Sequence, residues 1–370
     1  MDRADRRIGR WPAVAVAVLL GLAAAIWAVL PDGHAARVER VAGCHDPAAQ
    51  PKVETLAGGR QAVRLRVLLW NVEGLPWPIR SGRDAKLARI AQWIAQRRAA
   101  GLGPDILILH KAFTPAASRI ALAGDFHSVL PGPALDDARH LPAAVAPAAF
   151  ATSADWRKGE RLGKWLDGGL YIATDLPVLA RFHLPFGAAT CAGYDCLANK
   201  GSQAAIVAIP GAPDVLRIFN THRNAREPSG VSIARAETAH ALQTEENDLI
   251  LEAIRAEGGA MIAAGDFNNY RAGDRMGRFA NDPGFRLAAK GSGLAARAAS
   301  MTDAKAWTDA YDLMGFRSTD ALHVEPLAVA TLFDGLHGPR LADHPAQYVI
   351  FRLSWNARSA PRRIAVPACP

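Results

Sequence analysis

The sequence predicts an α/β protein in which a mixed sheet, or two packed sheets, carries helices on the outside. Short apolar runs bounded by Gly, Pro, Asp or Asn recur along the chain and have the length and composition of strands. Two amphipathic segments of helical periodicity interrupt these runs. Some runs are adjacent and others are separated by helices, and this mixture favours sheets with outer helices.

The composition indicates a large globular body with a basic surface. The chain has 370 residues, of which 50% are apolar and 21% are charged, and its formal net charge is +8. A chain of this length can bury a sizeable core. The basic excess favours anionic partners such as phosphates or lipid headgroups, and a generally basic surface explains it equally well. It lacks the dense basic stripe of a dedicated nucleic-acid binder.

Residues 11–30 form an uncharged apolar run that follows the Arg-rich residues 1–10. Such a run is long enough to span a bilayer, and the preceding arginines favour a cytoplasmic N-terminus. We expect a single-pass inner-membrane anchor with the domain outside the cytoplasm. A cleaved signal peptide has the same layout and would leave a secreted or periplasmic protein. We interpret residues 31–62 as a tether, residues 63–356 as the folded domain and residues 357–370 as a C-terminal tail.

Four cysteines support export to an oxidising compartment. Cys191 and Cys196 lie in one short loop, whereas Cys44 and Cys369 lie near the two ends of the exported region. Four cysteines allow three pairings, which the sequence alone does not distinguish. The economical choice pairs Cys191 with Cys196 and Cys44 with Cys369. A zinc site is not expected, because no CxxC or HxxxH spacing accompanies these cysteines.

The predicted elements follow the periodicity of the apolar residues. Strands are expected at residues 64–72, 105–110, 168–174, 203–210, 215–222, 260–267 and 347–355. One helix is expected over residues 84–100, where apolar residues share one face and arginines share the other. A longer helix is expected over residues 231–258 and ends at a Gly pair, as helices often do.

Polar residues stand at the ends of several predicted strands, where a strand has no structural need of them. They are Asn71 and Glu73 after the first strand, His222 in the fifth, Asp266 and Asn268 at the sixth, and Asp343 and His344 before the last. Taken singly, each has a structural explanation, since Asp and Asn form turns and a lone His is usually a core or surface residue. Their recurrence at strand ends favours a shared cleft.

These polar groups lie in motifs that resemble those of the endonuclease/exonuclease/phosphatase superfamily. The motifs are WNVEGLP, DILILHKAF, NTH, GDFN and DHP, and they fall within residues 64–355. Within the superfamily, the segment DCLANKGSQAAIVAIPG followed by NTH is most similar to the sphingomyelinase-type phosphodiesterases. The resemblance implies a four-layer α/β sandwich, with two packed mixed sheets and outer helices, and metal-assisted hydrolysis of a phosphate ester.

The resemblance also implies a general base with supporting carboxylates. His344 would take a proton from water, and Asp343 precedes it in the same motif. Asp266 would hold His344, water or a metal in place. A carboxylate upstream of the DHP motif would orient the base, and we assign this role to Asp320, with Asp309 as the alternative. Histidine suits the role of base because its pKa lies near neutral pH.

On the phosphate side, the resemblance implies that Asn268 and His222 contact the phosphate and that Asn71 helps to fix the phosphate or the metal. A phosphodiester transition state gathers negative charge on its oxygens, so it needs cations and hydrogen-bond donors at fixed positions. Asn and protonated His side chains supply such donors. Lys200 is either a solvated loop lysine or a contact to a phosphate or headgroup.

One position departs from the superfamily pattern. The corresponding strand of the superfamily ends in Gln-Glu, and that Glu is the principal metal ligand. Here the pair is His110 and Lys111. A protonated Lys cannot ligate Mg²⁺, which prefers carboxylate and water oxygens. A pair of unit charges at about 4 Å and an effective dielectric near 20 is worth roughly 4 kcal/mol, so Mg²⁺ binding at this point should be badly weakened.

Three interpretations of Lys111 follow. In the first, Lys111 replaces the metal, since a Glu with Mg²⁺ and a lone Lys carry the same net charge. In the second, the metal is kept but shifted, with Glu73 as its replacement carboxylate beside Asp266 and Asn71. In the third, the domain binds a phosphorylated ligand without turning it over. Retention of the other motif residues weighs against a complete loss of activity.

The sequence therefore predicts a hydrolase of phosphate esters, a phosphodiesterase that acts on phospholipid-like substrates through His-activated water. Lys111 and Lys200 are its predicted substrate-binding cations, and Mg²⁺ is the expected cofactor if a metal is used. A nuclease-like enzyme or a sugar-phosphate phosphatase is the enzymatic alternative, although nucleic acid is the less favoured partner. A membrane-tethered, catalytically impaired binding protein for phosphorylated ligands is the alternative from another class.

Overall fold

The computed structural model of the protein describes residues 37–42, 44–269, 272, 275, 286–288, 310–361 and 367–369. The strands are β1 (Glu54–Thr55), β2 (Arg60–Gly74), β3 (Ile106–Ala112), β4 (Ser128–Pro131), β5 (Tyr171–Thr174), β6 (Val178–Pro185), β7 (Gly201–Ala208), β8 (Val215–His222), β9 (Ala260–Asp266), β10 (Arg286–Leu287), β11 (Asp312–Arg317), β12 (His323–Leu332) and β13 (Ala346–Asn356). The α-helices are α1 (Asp84–Ala99), α2 (Pro115–Ser118), α3 (Ala148–Thr152) and α4 (Ile233–Ala256). Single 3₁₀ turns occur at Pro47–Ala49, Ala57–Gly59, Arg119–Leu122, Trp156–Lys158, Gly193–Leu197 and Glu227–Ser229.

The described strands form two mixed sheets. The first has the order β12-β13-β2-β3-β5-β4, with β1 paired to β2, and the second has the order β10-β11-β9-β8-β7-β6. Each sheet contains a parallel pair near its centre, β2 with β3 in the first and β8 with β9 in the second. Since parallel strands end at the same edge, the residues that end these four strands lie at one edge of each sheet.

The apolar core lies between the two sheets. Successive side chains of a strand face opposite sides of its sheet. On β2, Leu65, Val67 and Leu69 are fully buried against the second sheet, in one cluster with residues of β8 and β9. The intervening Leu68 and Trp70 belong to a second cluster on the other side. This double burial explains why the middle of β2 is almost continuously apolar.

Helices cover the outer faces of both sheets. Helix α1 packs on the first sheet through Leu87, Ile90 and Ile94, the face that its periodicity predicted. Helix α4 packs on the second sheet through Ile250 and Leu251. The layers therefore run helix, sheet, sheet, helix, and the predicted four-layer sandwich with mixed sheets is confirmed.

The sequence analysis missed six strands, namely β1, β4, β6, β10, β11 and β12. Strand β6 lies at the sheet edge and is only partly buried over most of its length, so it has no clear apolar pattern. Strand β12 contains Pro326, at a shift of register, and proline inside an apolar run argues against a strand. Strand β11 is short and contains Gly315.

The ends of the described chain are tied to the body of the domain. Disulfides join Cys44 to Cys369 and Cys191 to Cys196, which confirms the predicted pairing. Part of the segment that we interpreted as a tether contacts the domain, because β1 pairs with β2 and Arg40 forms an isolated bridge to strand β4. The folded body therefore begins before residue 63.

Within the described residues, no helix is long and apolar enough to cross a membrane. The apolar run at residues 11–30, on which the predicted anchor rested, lies outside those residues. The predicted inner-membrane location is corrected accordingly, since the helix that it requires is not found in the described structure. The predicted membrane contact through an N-terminal helix is withdrawn with it.

The packing between the sheets gives a direct test of the core. Leu69 is fully buried there, whereas Leu336 is 86% exposed in a loop. We expect Leu69→Ala to lower the free energy of unfolding by about 2–5 kcal/mol, because it removes buried methyl groups and leaves a cavity. Leu336→Ala should change it little. Urea denaturation followed by circular dichroism measures both, and equal effects would contradict the described packing.

Candidate active site

The ends of the parallel strands bring the predicted polar residues together. In the first sheet Asn71 pairs with His110, and in the second His222 pairs with Asp266. The Asn71 Nδ2 group donates a hydrogen bond of 2.8 Å to Oδ2 of Asp266, which joins the two sheets directly. Both side chains are fully buried. The polar residues at the ends of these predicted strands therefore meet at this edge.

His344 and Asp312 form the central contact of the site. Nδ1 of His344 lies 2.5 Å from Oδ2 of Asp312 and 3.9 Å from Oδ2 of Asp266. Burial alone would raise the pKa of Asp312, but His344 and His110 hold it below its usual value, so the carboxylate is ionised. Burial is the largest cause and disfavours the charged form of His344, but Asp312 and Asp266 together raise the pKa of His344 above its usual value. With Nδ1 on Asp312, the Nε2 atom is the one available to a water molecule.

The carboxylate that contacts His344 is Asp312 and not Asp320. Asp312 is the first residue of β11 and lies opposite Asp266 in the antiparallel register. Asp320 is exposed and follows Arg317, the last residue of β11, so it lies beyond the other end of that strand. The alternative, Asp309, lies outside the described residues. A signal was present in the sequence, since Asp312 opens the apolar run LMGF, but the run was too short to be recognised as a strand.

His222 is a neutral imidazole in this site. Its Nε2 lies 3.1 Å from Nζ of Lys200 and 3.3 Å from Oδ2 of Asp266. Burial is the largest cause that holds the pKa of His222 well below its usual value. The positive charge of Lys200, and then that of His110, lower it further. The expectation that His222 offers a protonated donor is therefore corrected. The neutral ring instead presents one N–H and one lone pair.

Lys200 is not the solvated loop lysine of the structural interpretation. Its side chain is 5% exposed, and Nζ lies 2.8 Å from Oδ1 of Asp195 while contacting His222. It therefore adds a buried positive charge behind His222. Asn268 lies nearby, and its Nδ2 group donates to the backbone oxygen of Arg223 at 2.8 Å. The Asn268 backbone N–H donates to Oδ1 of Asp266, so Asn268 supports the carboxylate as well as lining the cleft.

His110 is a site residue whose role the sequence did not reveal. It is fully buried, and its Nε2 lies 2.6 Å from Oδ1 of Asn220. Its Nδ1 lies 3.4 Å from Oδ1 of Asp312. His110 thus stands between a polar residue of β8 and the carboxylate that orients His344. It connects the two sheets a second time, beside the bond between Asn71 and Asp266.

Lys111 places an ammonium group at the edge of this cluster. Its Nζ lies 3.2 Å from Oδ2 of Asp343, the residue before His344. Burial works against the charge, but Asp343, Asp266 and Asp312 together raise the pKa of Lys111, so it is a cation at neutral pH. The Lys111 side chain is 18% exposed, so solvent can reach it.

Glu73 is engaged in structural contacts rather than free to bind a metal. Its Oε1 lies 2.7 Å from Nε of Arg80, and its Oε2 lies 3.3 Å from Nη1 of Arg83. Oε2 also accepts a hydrogen bond of 3.1 Å from the backbone N–H of Asp343. These contacts use both carboxylate oxygens, so the role of replacement metal ligand is not carried forward. Glu73 instead fixes the loop that bears Asp343 and His344.

Three strand ends around the cleft have left-handed backbone conformations. The φ angles are 52° at Glu73, 50° at Lys111 and 52° at Asn268. Such angles cost a residue with a side chain about 1–3 kcal/mol, and they persist where the surrounding structure imposes them. In β2 the turn at Glu73 falls in a shift of register between Asn71 and Gly74. The strand ends are therefore bent toward the positions that the cleft requires.

The residues present fit a divalent cation only partly. Among the described residues, Asp266, Asp312 and His344 offer ligand atoms within 4.8 Å of one another, which is compatible with a metal ion. A bound metal would polarise a phosphate oxygen. However, Nδ1 of His344 already contacts Asp312, and Oδ2 of Asp266 already accepts from Asn71. At the position expected from the resemblance, Lys111 supplies a cation where a ligand is needed, so that position does not fit a metal.

Comparison with solved structures identifies the fold. A structure of beta toxin from Staphylococcus aureus is 14% identical and matches over 77% of this chain and 99% of that chain, with a TM-score of 0.51. A mutant of beta toxin from the same organism, with bound magnesium ions, is 13% identical over 78% of this chain and 99% of that chain, with a TM-score of 0.50. Sphingomyelinase C from Streptomyces griseocarneus is 16% identical over 78% and 99%, with a TM-score of 0.49.

These likenesses show that the chain has the fold of the endonuclease/exonuclease/phosphatase superfamily, and they confirm the predicted resemblance at the level of the fold. The low sequence identities mean that they show the fold alone. No protein-family model matches the sequence, and no curated protein matches it either.

The contacts of Glu73 lead to a prediction about stability. Glu73→Gln removes the charge that faces the buried Arg83, and we expect a loss of about 1.5–3 kcal/mol in the free energy of unfolding. Arg80→Ala removes the other ion pair of Glu73, in which Arg80 is 53% exposed. This substitution should lower the free energy of unfolding by less than about 1 kcal/mol. Chemical denaturation compares the two variants. A larger loss for Arg80→Ala would show that the buried half is not the stabilising one.

Proposed function

We propose that this protein hydrolyses phosphodiesters, with His344 as the general base that activates water. The observation that carries the proposal is the buried pair of His344 and Asp312, in which Nδ1 of His344 contacts the carboxylate at 2.5 Å. An ionised carboxylate on one ring nitrogen fixes the orientation of the ring and makes the other nitrogen a better base. The fold supports this function, because the superfamily that shares it includes phosphate-ester hydrolases.

The proposed reaction begins with a water molecule on Nε2 of His344. The water transfers a proton to Nε2, and its oxygen forms a bond to phosphorus while the bond to the leaving oxygen breaks. The imidazolium that forms is stabilised by Asp312 at 2.5 Å and by Asp266 at 3.9 Å. The proton then passes through solvent to the departing alkoxide. The ring is thereby restored to its neutral form for the next turnover.

The phosphate is held, on this proposal, between groups of the two sheets. Asn71, Asn268 and the neutral His222 line one side, and each is already fixed by a contact to Asp266. Lys111 and Lys200 supply positive charge on either side of this group. Preorganised donors and cations of this kind stabilise the charge that develops on the phosphate oxygens.

Phospholipid-like substrates are the class that we favour. Support comes from the motif segment around Lys200, which resembles the sphingomyelinase-type phosphodiesterases, and from the net charge of +8, which suits anionic headgroups. A nuclease-like activity is the second candidate, because a backbone phosphate of DNA presents the same phosphodiester.

The role of His344 is tested by substitution. We expect His344→Ala and Asp312→Asn in the full-length protein to lower the rate of bis(p-nitrophenyl) phosphate hydrolysis by about 10²–10⁴-fold, because a general base contributes about that much. His337→Ala is the matched control, since His337 contacts Asp334 at 2.9 Å in an exposed loop. If His344→Ala retains the wild-type rate while circular dichroism shows an intact fold, the proposed base is wrong.

A panel of substrates distinguishes the candidate functions. We expect the full-length protein to hydrolyse sphingomyelin in mixed micelles faster than single-stranded or duplex DNA at equal concentrations of phosphodiester. Product release is measured as phosphocholine for the lipid and as acid-soluble nucleotide for the DNA. A faster reaction with DNA would indicate a nuclease. Binding of the lipid without any turnover would favour the alternative of a phosphate-ligand binding protein.

A further inference from the structure

We infer that the Lys111 ammonium, held by Asp343, is the fixed cation of this centre and acts in place of a divalent metal ion. The inference rests on the proposed function and specifies how its site stabilises the phosphate. It follows from where Lys111 lies, from which carboxylates are already paired, and from the charge that the centre requires.

The position of Lys111 is imposed by the fold. It lies next to the end of β3, beside His110, which pairs with Asn71 on β2. Its backbone is turned to a φ of 50°, opposite the register shift where β2 is also bent. The side chain reaches Asp343 in the loop before β13, so Nζ stands next to the residue that precedes the base, His344.

The carboxylates that could receive a metal near Lys111 already have partners. Asp343 faces Nζ of Lys111 at 3.2 Å. Glu73 is shared between Arg80, Arg83 and a backbone N–H. A divalent ion at this edge would have to displace an ion pair and then lie beside a lysine ammonium, and both effects oppose its binding.

The buried carboxylates are likewise satisfied by protein groups. Asp266 accepts hydrogen bonds from the Asn71 side chain at 2.8 Å and from the Asn268 backbone at 3.2 Å. Asp312 faces His344 at 2.5 Å and His110 at 3.4 Å. Every carboxylate of the cluster therefore meets an N–H group or a cation of the chain itself.

The remaining need is for a positive charge that solvent and substrate can reach, and Lys111, whose side chain is 18% exposed, meets it. An ammonium group has three N–H donors. The contact with Asp343 uses one and leaves two for phosphate oxygens. Lysine is an effective phosphate binder as a point charge, although it polarises an oxygen less strongly than Mg²⁺. The reaction bonds are those of the proposed hydrolysis, and Lys111 stays protonated throughout.

The inference predicts the effect of metal removal on the full-length protein. Hydrolysis of bis(p-nitrophenyl) phosphate by the wild type should change less than about twofold between EDTA and added Mg²⁺, since the cation is covalently part of the chain. Lys111→Met should lose about 10²–10³-fold in kcat, as expected for removal of one charged donor to the transition state. Lys111→Arg should retain the larger share of the activity, because it keeps the charge.

A charge reversal makes the test sharper. Lys111→Glu places a carboxylate beside Asp343 and creates a site of two carboxylates, which are ligands that Mg²⁺ and Mn²⁺ favour. We expect this variant to be inactive in EDTA, to gain saturable Mn²⁺ binding and to recover activity with Mg²⁺. Lys86→Glu is the matched control, since Lys86 is exposed on helix α1. It carries the same change in charge and should behave as the wild type.

The outcomes separate this inference from the proposed function. Loss of wild-type activity in EDTA with recovery in Mg²⁺, or full activity of Lys111→Met, overturns the inference and leaves His344-dependent hydrolysis standing. Absence of turnover in every protein overturns the proposed function. In that case a Mn²⁺ titration monitored by electron paramagnetic resonance still tests whether Lys111 excludes a metal ion. Equal Mn²⁺ binding by the wild type and by Lys111→Glu would show that Lys111 does not exclude the metal.

Discussion

Asp266 and Asp312 lie opposite each other on neighbouring antiparallel strands, and the rest of the site depends on holding these two buried carboxylates side by side. Burial opposes ionisation, and two like charges close together oppose it further. Each carboxylate is therefore surrounded by donors from other elements. Asn71 comes from the first sheet, while His344 comes from the loop before β13. The apolar core packs the two sheets together, and these donors offset the burial of the carboxylates at this edge.

Lys111 likewise compensates a negative charge of this site, that of Asp343. Removing one partner from a buried ionic cluster leaves an uncompensated charge and costs more than the pair contributes. A neutral residue at position 111 would leave the Asp343 carboxylate without the ammonium that it contacts at 3.2 Å. On the inference that Lys111 replaces a metal ion, its ammonium supplies the cation beside the other motif residues.

Local patterns predicted an α/β protein with a mixed sheet or two packed sheets, and the motif resemblance implied the four-layer sandwich and the grouping of the polar residues. Apolar runs located the central strands, whereas their parallel pairing, which brings the strand ends together, is known only from the structure. Asp312 could not be found in the same way, since its role comes from its register with Asp266 rather than from its own neighbours. The neutral state of His222 depends on Lys200, which lies 22 positions away in sequence and contacts His222 only in the folded chain.

The exposure of the charged side chains indicates which of them the substrate meets first in the proposed reaction. Asp343 and Lys111 are 34% and 18% exposed, whereas His344 is 8% and Asp312 is 4% exposed. On the proposed mechanism, a phosphate that enters the cleft meets Lys111 before it reaches the base. The ammonium then fixes the phosphate while the activated water approaches from the buried side. On this proposal the unusual residue of β3 is linked to the order of events, because the group inferred to replace the metal would also be the first to bind the substrate.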